Sequence, residues 1–126
     1  MTETKIYVGL NDSETRAQRF ETARYVSILK YVCSSYHIPF SFSFAQGGYI
    51  HENGEYTEEG TLVVSLIDVD KNIINEIAKD LCAFFHQESV LITEDRVRAY
   101  FINQPSKTLQ ESPCKEADNC ERDNDE

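Results

Sequence analysis

Side chains capable of acid–base chemistry gather in one short stretch of the sequence. Residues 46 to 59 contain Tyr49, His51 and Tyr56, together with the amide side chain of Gln46. Histidine and tyrosine can donate or accept a proton during a reaction, so this stretch could supply a general acid or base. The stretch also contains four glutamates whose spacing is typical of a solvated ribbon and too open for a calcium cage. They are Glu52, Glu55, Glu58 and Glu59.

The cysteine spacing argues against a metal site. Cys33 and Cys82 fall within helical patterns, where a free thiol packs as a small apolar group. Cys114 and Cys120 are six positions apart and have no histidine nearby. Structural zinc sites usually require two closely spaced ligand pairs. We therefore predict no metal, no cofactor and reduced thiols.

Composition divides the chain into a folded domain and a tail. The 126 residues fit one domain, which we predict over residues 1–103. Residues 104–126 are mostly polar and charged and contain a single leucine. Such a segment cannot bury enough apolar surface to fold, which predicts a disordered acidic tail.

The charge excludes one class of partner. The chain carries a net charge of −10, and residues 1–103 alone contain 15 acidic and 9 basic side chains. Acidic surfaces are repelled by phosphates, so we predict no direct nucleic-acid partner. Ile6–Leu10 resembles the first strand of RNA-recognition motifs, but Gly60–Ser65 lacks the basic, aromatic stretch on which bases stack.

The sequence also predicts where the protein acts. Its longest uncharged apolar run is too short to cross a membrane. Its first residues lack the basic start and apolar run of a signal peptide. Both features predict a cytoplasmic protein with no membrane partner.

The first third of the chain has the pattern of a strand followed by a helix. Lys5–Leu10 alternates between apolar and polar residues, as half-buried strands do. Asn11, Asp12 and Ser13 offer capping oxygens for a helix that reaches about Tyr36. Its predicted apolar stripe comprises Phe20, Tyr25, Ile28, Leu29, Val32 and Tyr36.

A hairpin follows, and its hydrophobic faces predict its register. Asn53-Gly54 is a strong turn signal. Symmetric pairing about this dipeptide would place Phe42 opposite Ser65, whereas one extra residue in the first arm places apolar residues opposite each other. We predict the second register, with a bulge at Gly47-Gly48 and three buried phenylalanines. The predicted pairs are Phe40 with Leu66, Phe42 with Val64, and Phe44 with Leu62.

The last elements complete the fold prediction. Asp70 or Asn72 caps a second helix, and Ser89–Thr93 forms a strand. Val97–Ile102 is either a fifth short strand or a continuation after a bend at Glu94–Arg96. The second helix should bury Ile74, Ile77, Leu81, Phe84 and Phe85. The order βαββαβ with right-handed crossovers predicts an α+β ferredoxin-like sandwich, with both helices on one face of an antiparallel sheet.

In this fold, one end of the sheet, where the strands meet their loops, gathers polar residues from three parts of the chain. The first strand's end, the hairpin tip and the turn after the second helix should meet there, because the strands alternate in direction. Long loops of this kind often carry function. The candidate binding residues at this end of the sheet are Asn11, Asp12, Arg16, Gln46, Tyr49, His51, Tyr56, Gln87 and Glu88.

The sheet face opposite the helices is a second candidate surface. It should carry Tyr7, Val63 and Ile67, which is too apolar a group for contact with water alone. Two copies stacked sheet to sheet would cover these side chains symmetrically. We therefore predict a homodimer with an interface at these three residues.

Two short segments resemble a class of known proteins. Tyr7–Asp12 (YVGLND) and Gln87–Leu91 are similar to segments of small proteins encoded by phages and prophages. The resemblance covers most of residues 5–102 and carries no catalytic residue with it. It implies a protein that binds and blocks something in the host.

These observations favour a small acidic binding protein that acts on a host protein or a small ligand. One alternative is an enzyme of the dimeric α+β barrel kind, with His51, Tyr7 and Tyr49 as acid–base candidates. Another is a regulatory domain that senses a ligand. The sequence alone leaves these alternatives open.

Overall fold

The computed structural model describes residues 1–105 and contains four strands and two helices. The strands form one antiparallel sheet in the order β2-β3-β1-β4. The α+β ferredoxin-like prediction is confirmed. The elements are β1 (Thr2–Gly9), α1 (Thr22–Ser35), β2 (Ser41–Ile50), β3 (Tyr56–Ile67), α2 (Lys71–Phe84) and β4 (Leu91–Arg96).

Both helices cover one face of the sheet. β1 and β3 contribute alternate residues such as Ile6, Val8 and Val64, each fully buried. The helices contribute apolar residues three and four positions apart, which lie on one side of a helix. The buried helix residues are Tyr25, Leu29, Val32, Cys33, Ile74, Ile77, Ala78 and Leu81.

The helix ends follow from their local sequence. The Asp70 carboxylate accepts a hydrogen bond from the backbone N–H of Asn72 at 3.0 Å, as predicted for one of two possible caps of α2. Beyond the helix ends, His37 has φ 56° and His86 has φ 55°. This left-handed conformation often ends a helix. Phe84 differs from the prediction, because it is 48% exposed at the end of α2.

The predicted register of the hairpin is confirmed, but the predicted bulge is wrong. Phe42 lies opposite Val64 and Phe44 lies opposite Leu62. The pairing continues without interruption through Gly47 and Gly48 to Ile50 opposite Tyr56. The extra residue of the first arm instead lies in a five-residue turn over positions 51–55, where Gly54 has φ 90°.

The phenylalanines of β2 are less buried than predicted. Phe42 and Phe44 lie on the helix side of the sheet but remain 36% and 44% exposed. β2 is an edge strand, and the packing around it shows why: within the described residues, the helices pack on each other and α2 packs on β1. The layer of helices is too narrow to cover the outermost strand.

Two other sequence predictions differ from the structure. α1 begins at Thr22, so Asn11, Asp12 and Ser13 precede it by a loop and do not cap it. β4 covers Leu91–Arg96 without the predicted bend, and residues 97–105 contain no strand. Disorder of the tail, and any role of Cys114 and Cys120, concern residues that lie almost entirely outside the described range. No helix within residues 1–105 is long and apolar enough to cross a membrane.

Candidate functional site

A polar cleft lies at the end of the sheet where β1 ends and β3 begins. Its volume is about 320 Å³. Three chain segments line it: residues 11–16 after β1, the hairpin end of the β2–β3 pair, and residues 87–89 after α2. We call it the Glu59 cleft, after the carboxylate on its sheet side.

Glu59 occupies this position because of a glycine on the neighbouring strand. Gly9 pairs with Thr61, and the Glu59 side chain lies over Gly9 on the open face of the sheet, opposite the helices. A Cβ at position 9 would overlap the Glu59 carboxyl group. The backbone N–H of Asn11 donates to Glu59 Oε2 at 2.9 Å. The carboxylate is therefore held half-buried by a backbone donor.

Asn11 connects the three segments of the cleft. Its side-chain amide donates to the Glu58 carbonyl at 3.3 Å. Its own carbonyl accepts a hydrogen bond from Gln87 Nε2. The Ser13 N–H donates to the His86 carbonyl at 3.0 Å and adds a second link to the α2 end. The cleft walls are thus braced against one another by hydrogen bonds to main-chain carbonyls.

Asp12 organises the loop on one side of the cleft. Its carboxylate is 4% exposed and accepts the N–H groups of Glu14 at 2.8 Å and Thr15 at 3.1 Å. Arg19 pairs with it at 3.2 Å. The two N–H groups, aided by the Arg19 charge, hold the pKa of Asp12 below its ordinary value. Asp12 is therefore a structural anion, not a candidate proton donor.

Arg16 brings a positive charge to the same loop. Its backbone has φ 61° and its N–H donates to the Asp12 carbonyl at 2.8 Å. A non-glycine residue in this left-handed region is strained, and such strain clusters at functional sites. Within residues 1–105, the ion pairs involve Arg19 and Lys79 but not Arg16. The Arg16 guanidinium is available to an anionic group in the cleft.

An aromatic pair forms the hairpin side of the cleft. The rings of Tyr49 and His51 meet edge to face, with their centroids 4.7 Å apart. The His51 Nε2 atom shares a hydrogen bond with Thr57 Oγ1 at 2.8 Å, which fixes the imidazole. Tyr49 pairs with Thr57 and so lies on the same face of the sheet as Glu59.

Most of the residues proposed from sequence lie around this cleft. The structure brings together Asn11, Asp12, Arg16, Tyr49, His51, Gln87 and Glu88. Gln46 instead lines a second cleft of about 550 Å³ beside Gln18 and Phe44. Tyr56 lies on the opposite face of the hairpin, where its hydroxyl group covers Gly48.

Three cleft residues were missed, namely Ser13, Glu59 and Ser89. Glu59 could have been found by parity. It is four positions before Val63, which the sequence places on the open face, and residues two and four apart on a strand share a face. It was missed because it belongs to the group of four glutamates that we interpreted as a solvated ribbon.

The three residues of the predicted dimer interface differ in exposure. Val63 is only 8% exposed and Tyr7 is partly buried, whereas Ile67 is 43% exposed. The bare apolar area of the open face is therefore smaller than the sequence suggests. The face-to-face dimer stays a prediction.

Within residues 1–105, no cluster of three or more histidine, cysteine, aspartate or glutamate side chains has a geometry that could hold a metal ion. The two described cysteines are free, and neither lines the cleft.

Comparisons with known proteins support the fold. No protein-family model and no curated protein matches the chain. Among solved structures, a phage SAM lyase in complex with S-methyl-5'-thioadenosine is similar at 22% identity, with a TM-score of 0.59, over 75% of this chain and 79% of that one. A phage SAM lyase in the apo state is similar at 20% identity, with a TM-score of 0.56, over 75% of this chain and 78% of that one. The periplasmic divalent cation tolerance protein CutA from Archaeoglobus fulgidus is similar at 12% identity, with a TM-score of 0.50, over 79% and 87% of the two chains.

Proposed function

We propose that this chain binds S-adenosylmethionine (SAM) in the Glu59 cleft and cleaves it to S-methyl-5'-thioadenosine. The observation that carries the proposal is the half-buried Glu59 carboxylate, held by the Asn11 N–H at the wall of a cleft that also contains Tyr49 and Arg16. The similarity in fold to a phage SAM lyase suggests this ligand. The proposal includes a phage origin, consistent with the YVGLND resemblance, and action in the host cytoplasm.

The chemistry of the cleft suits the charges of this ligand. SAM carries a cationic sulfonium, a cationic ammonium group and an anionic carboxylate. Glu59 provides the negative charge for a cation, and the exposed Tyr49 ring offers a face for the sulfonium or the adenine. Arg16 provides a guanidinium that can bind the ligand carboxylate through two parallel hydrogen bonds. The cleft thus offers a carboxylate and an aromatic ring for the cationic groups and a guanidinium for the anionic one.

The proposed cleavage is balanced without a co-reactant. The pair of electrons of the bond between sulfur and the γ-carbon moves to sulfur, which leaves as the neutral thioether. The ligand's own carboxylate forms a bond to the γ-carbon and closes a lactone. Arg16 orients the carboxylate, and Glu59 and Tyr49 hold the sulfonium in line. Positioning of this kind is the main requirement of an intramolecular reaction.

Product analysis tests the proposal. The full chain is incubated with SAM, and S-methyl-5'-thioadenosine is quantified by liquid chromatography and mass spectrometry. We expect product from the parent and a loss of about 10²–10³-fold in kcat/KM for Glu59→Gln, a range typical of removing a positioned electrostatic group. Glu55→Gln is the matched control, because Glu55 is exposed in the hairpin turn outside the cleft.

Two results would contradict the proposal. One is a parent protein that releases no thioether, and the other is Glu59→Gln activity equal to that of Glu55→Gln. Circular dichroism of both variants shows whether each is folded, so a loss of activity can be assigned to the site.

A second candidate function is the blocking of a host protein. The observation that favours it is the hairpin end, where Ile50 and Tyr56 are 72% and 62% exposed. Expression in bacteria separates the candidates. If the protein acts by cleavage, Glu59→Gln abolishes its effect on growth; if it acts by protein binding, Tyr56→Asp abolishes the effect and Glu59→Gln does not.

A further inference from the structure

The two free edges of the sheet differ in how they are protected. β4 carries Glu94, Asp95 and Arg96 among its six residues. Charged side chains on an edge strand discourage pairing with another chain. β2 has ten residues, SFSFAQGGYI, with no charge and no proline. Every residue of β2 is exposed, so this edge is open to an additional strand.

The same chain contains a segment with the pattern of a strand but without a strand partner. Val97–Ile102 (VRAYFI) follows β4, and only its first residue continues the ladder, through the Val97 N–H to the Met1 carbonyl at 2.9 Å. Tyr100, Phe101 and Ile102 are 79%, 90% and 84% exposed, the highest values for large apolar side chains within residues 1–105. Such a cluster is rarely left bare on a soluble protein.

The segment cannot reach the open edge of its own sheet and still pair with it. β4 and β2 are at opposite sides of the sheet, separated by β1 and β3. Three interstrand spacings amount to roughly 14 Å. Crossing that distance would use about four extended residues. Too few of the six would remain to form a strand.

We propose that Val97–Ile102 adds as a fifth strand to β2 of a second copy of this chain. The sequence pattern predicts this strand, and residues 1–105 of one copy provide no place for it. The added strand covers Phe42 and Phe44, the partly exposed aromatic residues of β2. Arg98 is the only charged residue in the contact, so two acidic chains can meet there without like charges opposing each other.

The area of this contact suits a stable assembly. Aromatic side chains bury about 150–250 Å² each, so Tyr100 and Phe101 alone remove roughly 300–500 Å² from water. Each copy offers one segment and one edge, so an exchanged pair uses both segments and both edges. Two such contacts reach the range of roughly 1,000 Å² and above that specific interfaces occupy. This interface does not depend on the proposed function.

Point variants of the full chain test the interface. Light scattering coupled to size exclusion, at micromolar concentration and 0.15 M salt, gives the mass of each species. We expect the parent to assemble and both Phe44→Lys and Phe101→Lys to be monomers. Both side chains are partly or almost fully exposed within one copy, so the thermal midpoints of the isolated monomers should agree within a few degrees.

Two controls make the test specific. Phe84→Lys introduces the same change at a phenylalanine of similar exposure on α2, 48% against 44% for Phe44, and should leave the assembly intact. Ile67→Lys changes the open sheet face and should also leave it intact.

A monomeric parent overturns the proposal, as does an assembly that persists in Phe101→Lys. Dissociation by Ile67→Lys alone would place the interface on the open sheet face instead.

Discussion

The Glu59 carboxylate is placed by residues that are remote in sequence. Gly9 leaves the space that the carboxyl group occupies, and the Asn11 N–H donates to it. The sequence contains both residues within the YVGLND segment, yet spacing alone does not show that position 59 lies over position 9. That relation requires the register of β1 against β3, which pairs Gly9 with Thr61.

Asp12 gives a residue-scale prediction about pH. Its pKa is lowered in the folded protein by the N–H groups of Glu14 and Thr15 and by Arg19. Its contribution to stability is therefore complete above the ordinary pKa of 3.8 and is lost as the pH falls from there through the folded value. Asp12→Asn should be less stable than the parent at pH 7, and the difference should shrink as the pH approaches 3.

Thermal unfolding at several pH values measures this effect. Asp95→Asn, on exposed β4, is the control for removing one carboxylate and should follow the parent more closely. A constant difference between Asp12→Asn and the parent from pH 7 to pH 3 would contradict the assigned role of Asp12.

At the scale of elements, the hydrophobic patterns predict register but not coverage. Alternation in β2 and β3 correctly places Phe42 opposite Val64, because a shift of one residue would exchange the two faces of a strand. The same alternation overstates the burial of Phe42, because the sequence of a strand does not indicate how far the helices extend over the sheet. Asp12 was assigned to the start of α1 for a similar reason: a capping residue looks the same before a turn as before a helix.

The apolar stripe of α2 gives an element-scale prediction. Ile77 is fully buried whereas Phe84, placed in the same stripe by its spacing, is 48% exposed. Ile77→Ala should lower the free energy of unfolding by about 2–5 kcal/mol, because the cavity adds to the lost apolar burial. Phe84→Ala should lower it by less than about 1 kcal/mol.

Urea unfolding followed by circular dichroism provides these free energies. If the two alanine variants lost equal stability, the exposure of Phe84 at the end of α2 would be wrong.

At the scale of the whole molecule, the topology could be predicted and the cleft only in part. The order of the elements and the right-handed crossovers lead to one sheet order. This sheet order places the three polar segments at one end of the sheet. The sequence does not predict which side chains of the hairpin enter the cleft. Gln46 and Tyr56 belong to the correct hairpin but lie on the side away from the cleft, because the five-residue turn decides which face each of them takes.

The central claim is that the Glu59 cleft binds a small ligand, and amide NMR of the ¹⁵N-labelled full chain tests it most directly. S-methyl-5'-thioadenosine is titrated into the protein, and the backbone amide shifts are followed residue by residue. We predict saturable shifts at Asn11, Glu59 and Gln87, whose amides or side chains brace the cleft, and none at Lys71, at the opposite end of α2 from Gln87. The absence of saturable shifts, or shifts centred on Gln18 and Gln46 in the second cleft, would contradict the account.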